Sequence, residues 1–226
     1  MFCFTFTHRD TTCLPQTKMT GDATFSFYDT VTISSVSPTT VPHTGRGSIT
    51  CTGQKFQPMT PKHGLRCRFS DSGAPETVRY TGGSVSADGT SAVCSTPAIG
   101  LTGGTWPYTL SLSFNFEDNP APQWSQSAAI SIYTSPIVSR TVPRLISASG
   151  GTTVTLIGNN FKDTSTAACW FSSGFSTKAT FTSSTQIECV MPVTVDKSAK
   201  VSVCVTVNGV DCSDDFDLSV YAVMQV

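Results

Sequence analysis

The chain has 226 residues, of which 38% are hydrophobic and only 13% charged, with a formal net charge of −1. That length exceeds one immunoglobulin-sized unit and suits two of about 100 residues. The low charged share, made up by Ser, Thr and Gly, favours short strands and turns over helices. No net field draws such a chain to nucleic acid or to an anionic membrane. No apolar run reaches the ~20 residues needed to cross a bilayer, and "MFCFTFTHRD" lacks the basic and apolar regions of a secretion signal.

In chain order, "FCFTFT" alternates apolar and polar residues, and "ATFSFY" closes at Tyr28. Alternation with period two marks a strand with one buried face. A lone hairpin is marginal in water, so residues 1–29 read as the last hairpin of a preceding unit, and the sequence as a segment of a longer array. The plainer alternative is a strand pair packed on the unit that follows.

Residues 30–134 form the first full unit. "SITCTGQKF" leads to Cys67-x-Phe69, then to Cys94-x-x-Pro97. "YTLSLSFNF" alternates, so Leu110, Leu112, Phe114 and Phe116 are expected to face one core. "AAISIY" closes the unit at Tyr133. The link "YTSPIVSRTVP" is short and stiffened by Pro136 and Pro143.

Residues 135–222 repeat that order, and 223–226 begin a linker or a next repeat. "TVTLIGNNF" sets Gly158 against Gly53 and Phe161 against Phe56. Cys169, Phe171, Cys189 and Pro192 answer Cys67, Phe69, Cys94 and Pro97. Val201, Val203, Val205 and Val207 in "KVSVCVTV" face a second core, and "FDLSVY" closes at Tyr221.

The repeat sorts the nine cysteines, which show no zinc spacing. Each pair lies on strands close enough for a bridge, so Cys67 pairs with Cys94 and Cys169 with Cys189. In "CVTVNGVDC", a three-residue loop from Val207 to Gly209 puts Cys204 opposite Cys212, whereas a two-residue turn opposes Val205 and Cys212 and weakens that pairing. Cys3 and Cys13 occupy the matching places in the N-terminal hairpin. Cys51 is left over, aligned with Leu156 at an inward position. It reads as a small buried hydrophobe, with an intermolecular disulfide as the alternative. Four bridges imply an oxidising compartment.

These residues resemble the IPT/TIG domains, immunoglobulin-like folds of plexins, growth-factor-type receptors, fibrocystin-like surface proteins and some transcription factors. The resemblance rests on "ISSVSPTTVPHTGRGSITCTGQKF" and "IVSRTVPRLISASGGTTVTLIGNNF", the Cys-x-Phe and Cys-x-x-Pro motifs, and the closing Tyr. It covers both full units and the tail of a third. It implies an all-β chain of tandem immunoglobulin-like (E-set) β-sandwiches of about seven strands each, of the extracellular, disulfide-bonded type. "HTGRGS" (residues 43–48) departs from the Gly-Gly at Gly150-Gly151 and leaves that loop's turn type open.

Other chemistry is weakly signalled. "HRD" at His8–Asp10 lacks the partners of a kinase catalytic loop. His8, His43 and His63 all sit near turns, with no rigid Ser-His-Asp framework in view. Glu117, Asp118 and Asn119, and Asp214 and Asp215, lack a calcium-loop pattern. Arg46, Arg66, Arg68 and Arg79 are scattered among acids rather than gathered for DNA or RNA. No Asn-x-Ser/Thr sequon is present. Trp106, Trp124 and Trp170 are the candidate interface residues, with plain packing as the alternative: Trp106 as a loop anchor, Trp124 as cover for a strand edge, and Trp170, of parity opposite to Cys169 and Phe171, packed against the next domain or a partner. No catalytic residue, metal or cofactor is expected. The expected role is a non-catalytic extracellular spacer and adhesive segment of a surface or filament-forming protein. Its partners would be adjacent repeats, other surface or filament proteins, or copies of itself, with no nucleic acid and no membrane insertion in this segment. The alternative is the stalk of a plexin-like or growth-factor-receptor-like signalling receptor.

Overall fold

The computed structural model describes residues 31–56, 64–114, 122–192 and 200–221. The N-terminal hairpin with Cys3, Cys13 and His8, the loop with His63, the tip from Phe116 to Asn119, and residues 223–226 lie outside the described residues. Those described residues form seventeen strands and no helix, so none of them makes a helix able to cross a membrane.

The first sandwich contains β1 (Thr32–Ser37), β2 (Thr40–Pro42), β3 (Ser48–Gln54), β4 (Leu65–Asp71), β5 (Val78–Val85), β6 (Ser91–Ser95), β7 (Thr105–Ser113) and β8 (Ala128–Tyr133). They run in the order β1-β3-β6-β5-β4-β7-β8-β2. One layer is β1-β3-β6 and the other is β4-β7-β8-β2. β5 joins them, pairing with β4 on one side and β6 on the other. Gly83 permits this crossing, since a Cβ there would sit 2.3 Å from the Val93 carbonyl oxygen.

The second sandwich contains β9 (Ile137–Val142), β10 (Leu145–Ser147), β11 (Thr153–Asn159), β12 (Ala168–Phe171), β13 (Ser176–Lys178), β14 (Thr180–Ser183), β15 (Gln186–Val190), β16 (Lys200–Thr206) and β17 (Phe216–Tyr221). Its layers are separate sheets, β10-β17-β16-β12-β13 and β14-β15-β11-β9. β13 and β14 take the place of β5, broken at the buried Ala179.

Both sandwiches begin with a strand that changes layer at a proline. β1 pairs antiparallel with β3, and past Pro38 the chain joins β8 in parallel as β2. Likewise β9 pairs with β11, and past Pro143 the chain joins β17 as β10. Proline has no N–H for a ladder, so the changeover falls where the pairing must lapse. The stretch expected as a linker is therefore mostly strand: β9 starts at Ile137, and only Thr134, Ser135 and Pro136 separate it from β8.

Alternation places the cores. Leu110, Leu112 and Phe114 lie in the first, with Ile49, Phe56, Phe69 and Ile132. Val201, Val203 and Val205 lie in the second, with Leu156, Phe161, Ile187 and Leu218. Val207 is buried too, at the entrance to a loop outside that cluster.

The repeated glycines mark a close approach of backbones. A Cβ on Gly53 would lie 2.0 Å from the Thr32 carbonyl oxygen, and one on Gly158 would lie 1.7 Å from that of Ile137. Ladder register shifts beside both, between Ile33 and Ser35 and between Ile157 and Gly158. Only a residue without a side chain fits such a bulge. Gly158→Ala is expected to cost about 1–3 kcal/mol through forced backbone movement, read as a lowered denaturation midpoint. An unchanged midpoint would refute the tight packing at β9.

Candidate functional site

Among the described residues, three cysteine pairs are bonded. Cys67 joins Cys94 and Cys169 joins Cys189, with Cα atoms 6.1 and 6.2 Å apart. Each of these bonds crosses a core from one layer to the other, and all four residues are buried. Cys204 joins Cys212 at 5.8 Å. Cys51 is a free, buried thiol, and burial pushes its pKa up to about 11.

The loop that holds Cys212 differs from both turns considered. Cys212 bridges to Thr206, not Cys204, so the disulfide runs diagonally and the loop spans residues 207–211. Asn208 organises it. Its Oδ1 accepts from the N–H groups of Val210 (3.1 Å) and Asp211 (2.8 Å), while the Gly209 N–H donates to Thr206 Oγ1 at 2.9 Å. Side-chain acceptors of this kind replace the ladder that a tighter hairpin would have kept.

This loop is part of a joint between the sandwiches. Asn208 Nδ2 donates to the Thr40 carbonyl and to Asp211 Oδ2, each at 2.8 Å. The Asp211 carboxylate fits against Gly47, where an added Cβ would lie 3.0 Å from Oδ1. Arg46 and Asp214 form an exposed ion pair at 2.7 Å, of a kind worth little on its own. From the next loop, Lys162 Nζ donates to the Gly104 carbonyl at 3.0 Å and to Thr105 Oγ1. It also lies 5.8 Å from the centroid of the Tyr133 ring, within reach of a cation–π contact. Within the link, Asn160 Nδ2 donates to the Ser135 carbonyl at 3.2 Å, and the Ser135 N–H donates to His43 Nδ1 at 3.3 Å.

Tyr133 is the centre of this arrangement. Its neighbour Ile132 points into the core, so Tyr133 points outward by parity, yet it is only 3% exposed. Burial, and secondarily the Asp211 charge, hold its phenol well above the ordinary value. Burial lowers the pKa of Lys162.

The three tryptophans have different surroundings. Trp106 is half-buried against the first core. Trp124 stacks on Tyr80 with centroids 5.9 Å apart, and the Arg68 guanidinium lies 4.4 Å from its ring centroid. Its segment runs beside β7 as an extension of β8, held by Leu112 N–H to Ser125 Oγ at 2.9 Å. Both rings therefore pack within the first sandwich. Trp170 is outward and 38% exposed, its residue paired with Cys204 on β16.

Among the described residues, no group of three or more His, Cys, Asp or Glu side chains converges on one point. Arg46 is engaged by Asp214 at the joint, Arg66 and Arg68 lie on β4, and Arg79 donates to the Val78 carbonyl. Asp215 stands apart from that ion pair, just before β17. Sequence reasoning missed Asn208, Asp211, Lys162 and Tyr133 as contact residues. The one available signal was the repeated closing tyrosine.

Residues 136–220 match the IPT/TIG domain family and constitute an IPT/TIG domain. No curated protein matches the chain. Among solved structures, the full extracellular region of plexin A4 is similar at 16% identity and a TM-score of 0.45, over 83% of this chain and 15% of its own. Domains 1–6 of the surface-layer protein SbsC are similar at 19% identity and a TM-score of 0.28, over 85% of this chain and 26% of that one. The SGBP-B protein of the Bacteroides ovatus mixed-linkage glucan utilization locus, in complex with a mixed-linkage heptasaccharide, is similar at 12% identity and a TM-score of 0.29, over 85% and 46%. The chain thus spans less than half the length of each.

Three outcomes follow from this chemistry. The Cys51 thiol stays protonated at neutral pH, so iodoacetamide should leave it unmodified until denaturant is added, and native labelling or a Cys51-linked dimer would contradict its burial. Because the folded-state pKa of Tyr133 is raised, its contribution is present below the ordinary tyrosine value and is lost as pH rises above about 10. Tyr133→Phe should flatten the decline in stability across that range, measured by urea denaturation. Asn208→Ala should lower stability by about 1–3 kcal/mol at neutral pH, because it removes the bonds to the Thr40 carbonyl and Asp211 Oδ2 and the two backbone bonds that close the loop.

Proposed function

We propose that this chain, whose residues 136–220 are an IPT/TIG domain, is a non-catalytic extracellular segment that sets spacing and offers contact surfaces within a longer surface or filament-forming protein. The joint is the observation that carries this reading. Only three residues link the sandwiches, and side chains from two loops of the second grip the first through Thr40, Gly104 and Tyr133. A free tether would leave Tyr133 wet; here it is dry. Two units held by a short link and an ordered interface behave as a jointed rod, whereas a Gly/Ser linker would make them independent beads.

The cross-core disulfides support an oxidising location. A chain-entropy estimate gives each about 3–4 kcal/mol before native strain, a large share of a domain's net stability of about 5–15 kcal/mol. Durability outside the cell is the property such bonds confer. With few charges and preformed loops, contacts with neighbours would rest on shape, hydrogen bonds and exposed apolar groups such as Trp170.

Small-angle X-ray scattering tests the rod. The native chain should fit one relative orientation of its sandwiches, and a variant with Gly-Ser-Gly-Ser inserted after Thr134 should require a broad ensemble. Equal breadth in both would overturn the spacer reading. Non-reducing peptide mapping tests the compartment: free thiols at Cys67 and Cys94 in protein from its native source would remove the extracellular assignment.

A further inference from the structure

The joint has a structural twin at the far end of the second sandwich. β10 lies on β17 as β2 lies on β8, in parallel and in matching register. Leu145, Ile146 and Ser147 face Ser219, Val220 and Tyr221, just as Thr40, Val41 and Pro42 face Ser131, Ile132 and Tyr133. The next backbone bonds also match, from the Ala148 N–H to the Tyr221 carbonyl at 3.0 Å and from the His43 N–H to the Tyr133 carbonyl at 2.8 Å. Tyr221 therefore occupies the place of Tyr133.

What differs is the cover. Val220, like Ile132, is buried, so both tyrosines point away from their cores. Tyr133 is 3% exposed beneath the second sandwich, whereas Tyr221 is 47% exposed. Leu145, the counterpart of Thr40, is 56% exposed and shares a face with Tyr221 on the β10–β17 pair. Two large apolar side chains thus stand open at the places equivalent to Tyr133, which the joint covers, and Thr40, whose carbonyl it binds. Resting on the reading of the chain as part of a stack, we infer that Tyr221 and Leu145 form a second socket of the joint type, which receives a further sandwich of the same class. The occupant places a cationic loop side chain over the Tyr221 ring, as Lys162 lies over Tyr133. Leucine in place of threonine shifts the rest of the contact toward an apolar side chain.

Tyrosine nitration by tetranitromethane, read by peptide mass spectrometry, tests the socket. The probe is the full chain through Tyr221 followed directly by a second copy of residues 134–221, which brings its own Lys162 and exposed Val210 to the pole. In the unextended chain, Tyr221 should react about tenfold faster than the covered Tyr133. In the extended chain, the internal Tyr221 should slow to roughly the rate of Tyr133, while the terminal Tyr221 remains reactive and reports on the same sample. Leu145→Asp in the first copy, or Lys162→Ala in the appended one, should restore its reactivity. Equal rates for Tyr221 in the two chains, with the appended Cys169–Cys189 bridge intact, would overturn the inference and leave the joint standing. Protection of Tyr221 already in the unextended chain would overturn it as well, by showing the pole to be occupied. A fast-reacting Tyr133 in the unextended chain would sink the joint itself, and with it both this inference and the proposed function.

Discussion

Each sandwich has a sulfur–sulfur bond across its core, and this bond governs the separation of its two layers. Cys67 lies on β4 and Cys94 on β6, in opposite layers; Cys169 and Cys189 lie in separate sheets. The bonds sit among buried aliphatic and aromatic groups and are themselves closed to solvent. With the layers fixed to each other, the strand that changes layer at Pro38 or Pro143 has a set gap to cross. The glycine bulge at Gly53 or Gly158 then draws its first half close to the neighbouring strand. The loops at the two poles inherit a rigid base.

That rigidity explains how a small set of polar contacts can order two bodies. The Asn208 loop is closed by its own side chain before it reaches Thr40, so little freedom is lost on contact. Lys162 arrives from a separate loop and reaches Tyr133 from another direction. Two independent points of attachment restrict both swing and twist, where one would restrict neither fully. The exposed Arg46–Asp214 pair adds orientation more than strength.

Much of this was legible in the residues because it is local or repeated. Period-two alternation identified the core-facing positions of β7 and β16, and the spacing of Cys-x-Phe and Cys-x-x-Pro picked out strands in opposing layers. The limits have physical causes. The turn after β16 was misread because Asn-Gly signals a tight hairpin, while the Asn208 side chain here caps a wider loop. The link was overestimated because a strand with one exposed face, Ile137–Val142, resembles linker when its neighbours in the sheet are unknown. Trp124 read equally as a partner contact or as cover for a strand edge, because no pattern in the chain announces that Tyr80 and Arg68 lie across the sheet from it. The joint itself arises from loops far apart in sequence, so only the closing tyrosine hinted at it.

The corner after β3 and β11 holds a further lesson. Lys55 and Asn160 occupy matching places and share a left-handed backbone, with φ of 66° and 63°, although neither is glycine. The bend therefore belongs to the scaffold and not to the side chain. At Asn160 the side chain reaches the Ser135 carbonyl and helps seat one unit upon the last; at Lys55 the same bend carries a lysine instead. A string of such units can exchange its connectors residue by residue, altering which neighbour fits, while the frame that carries them stays folded as before.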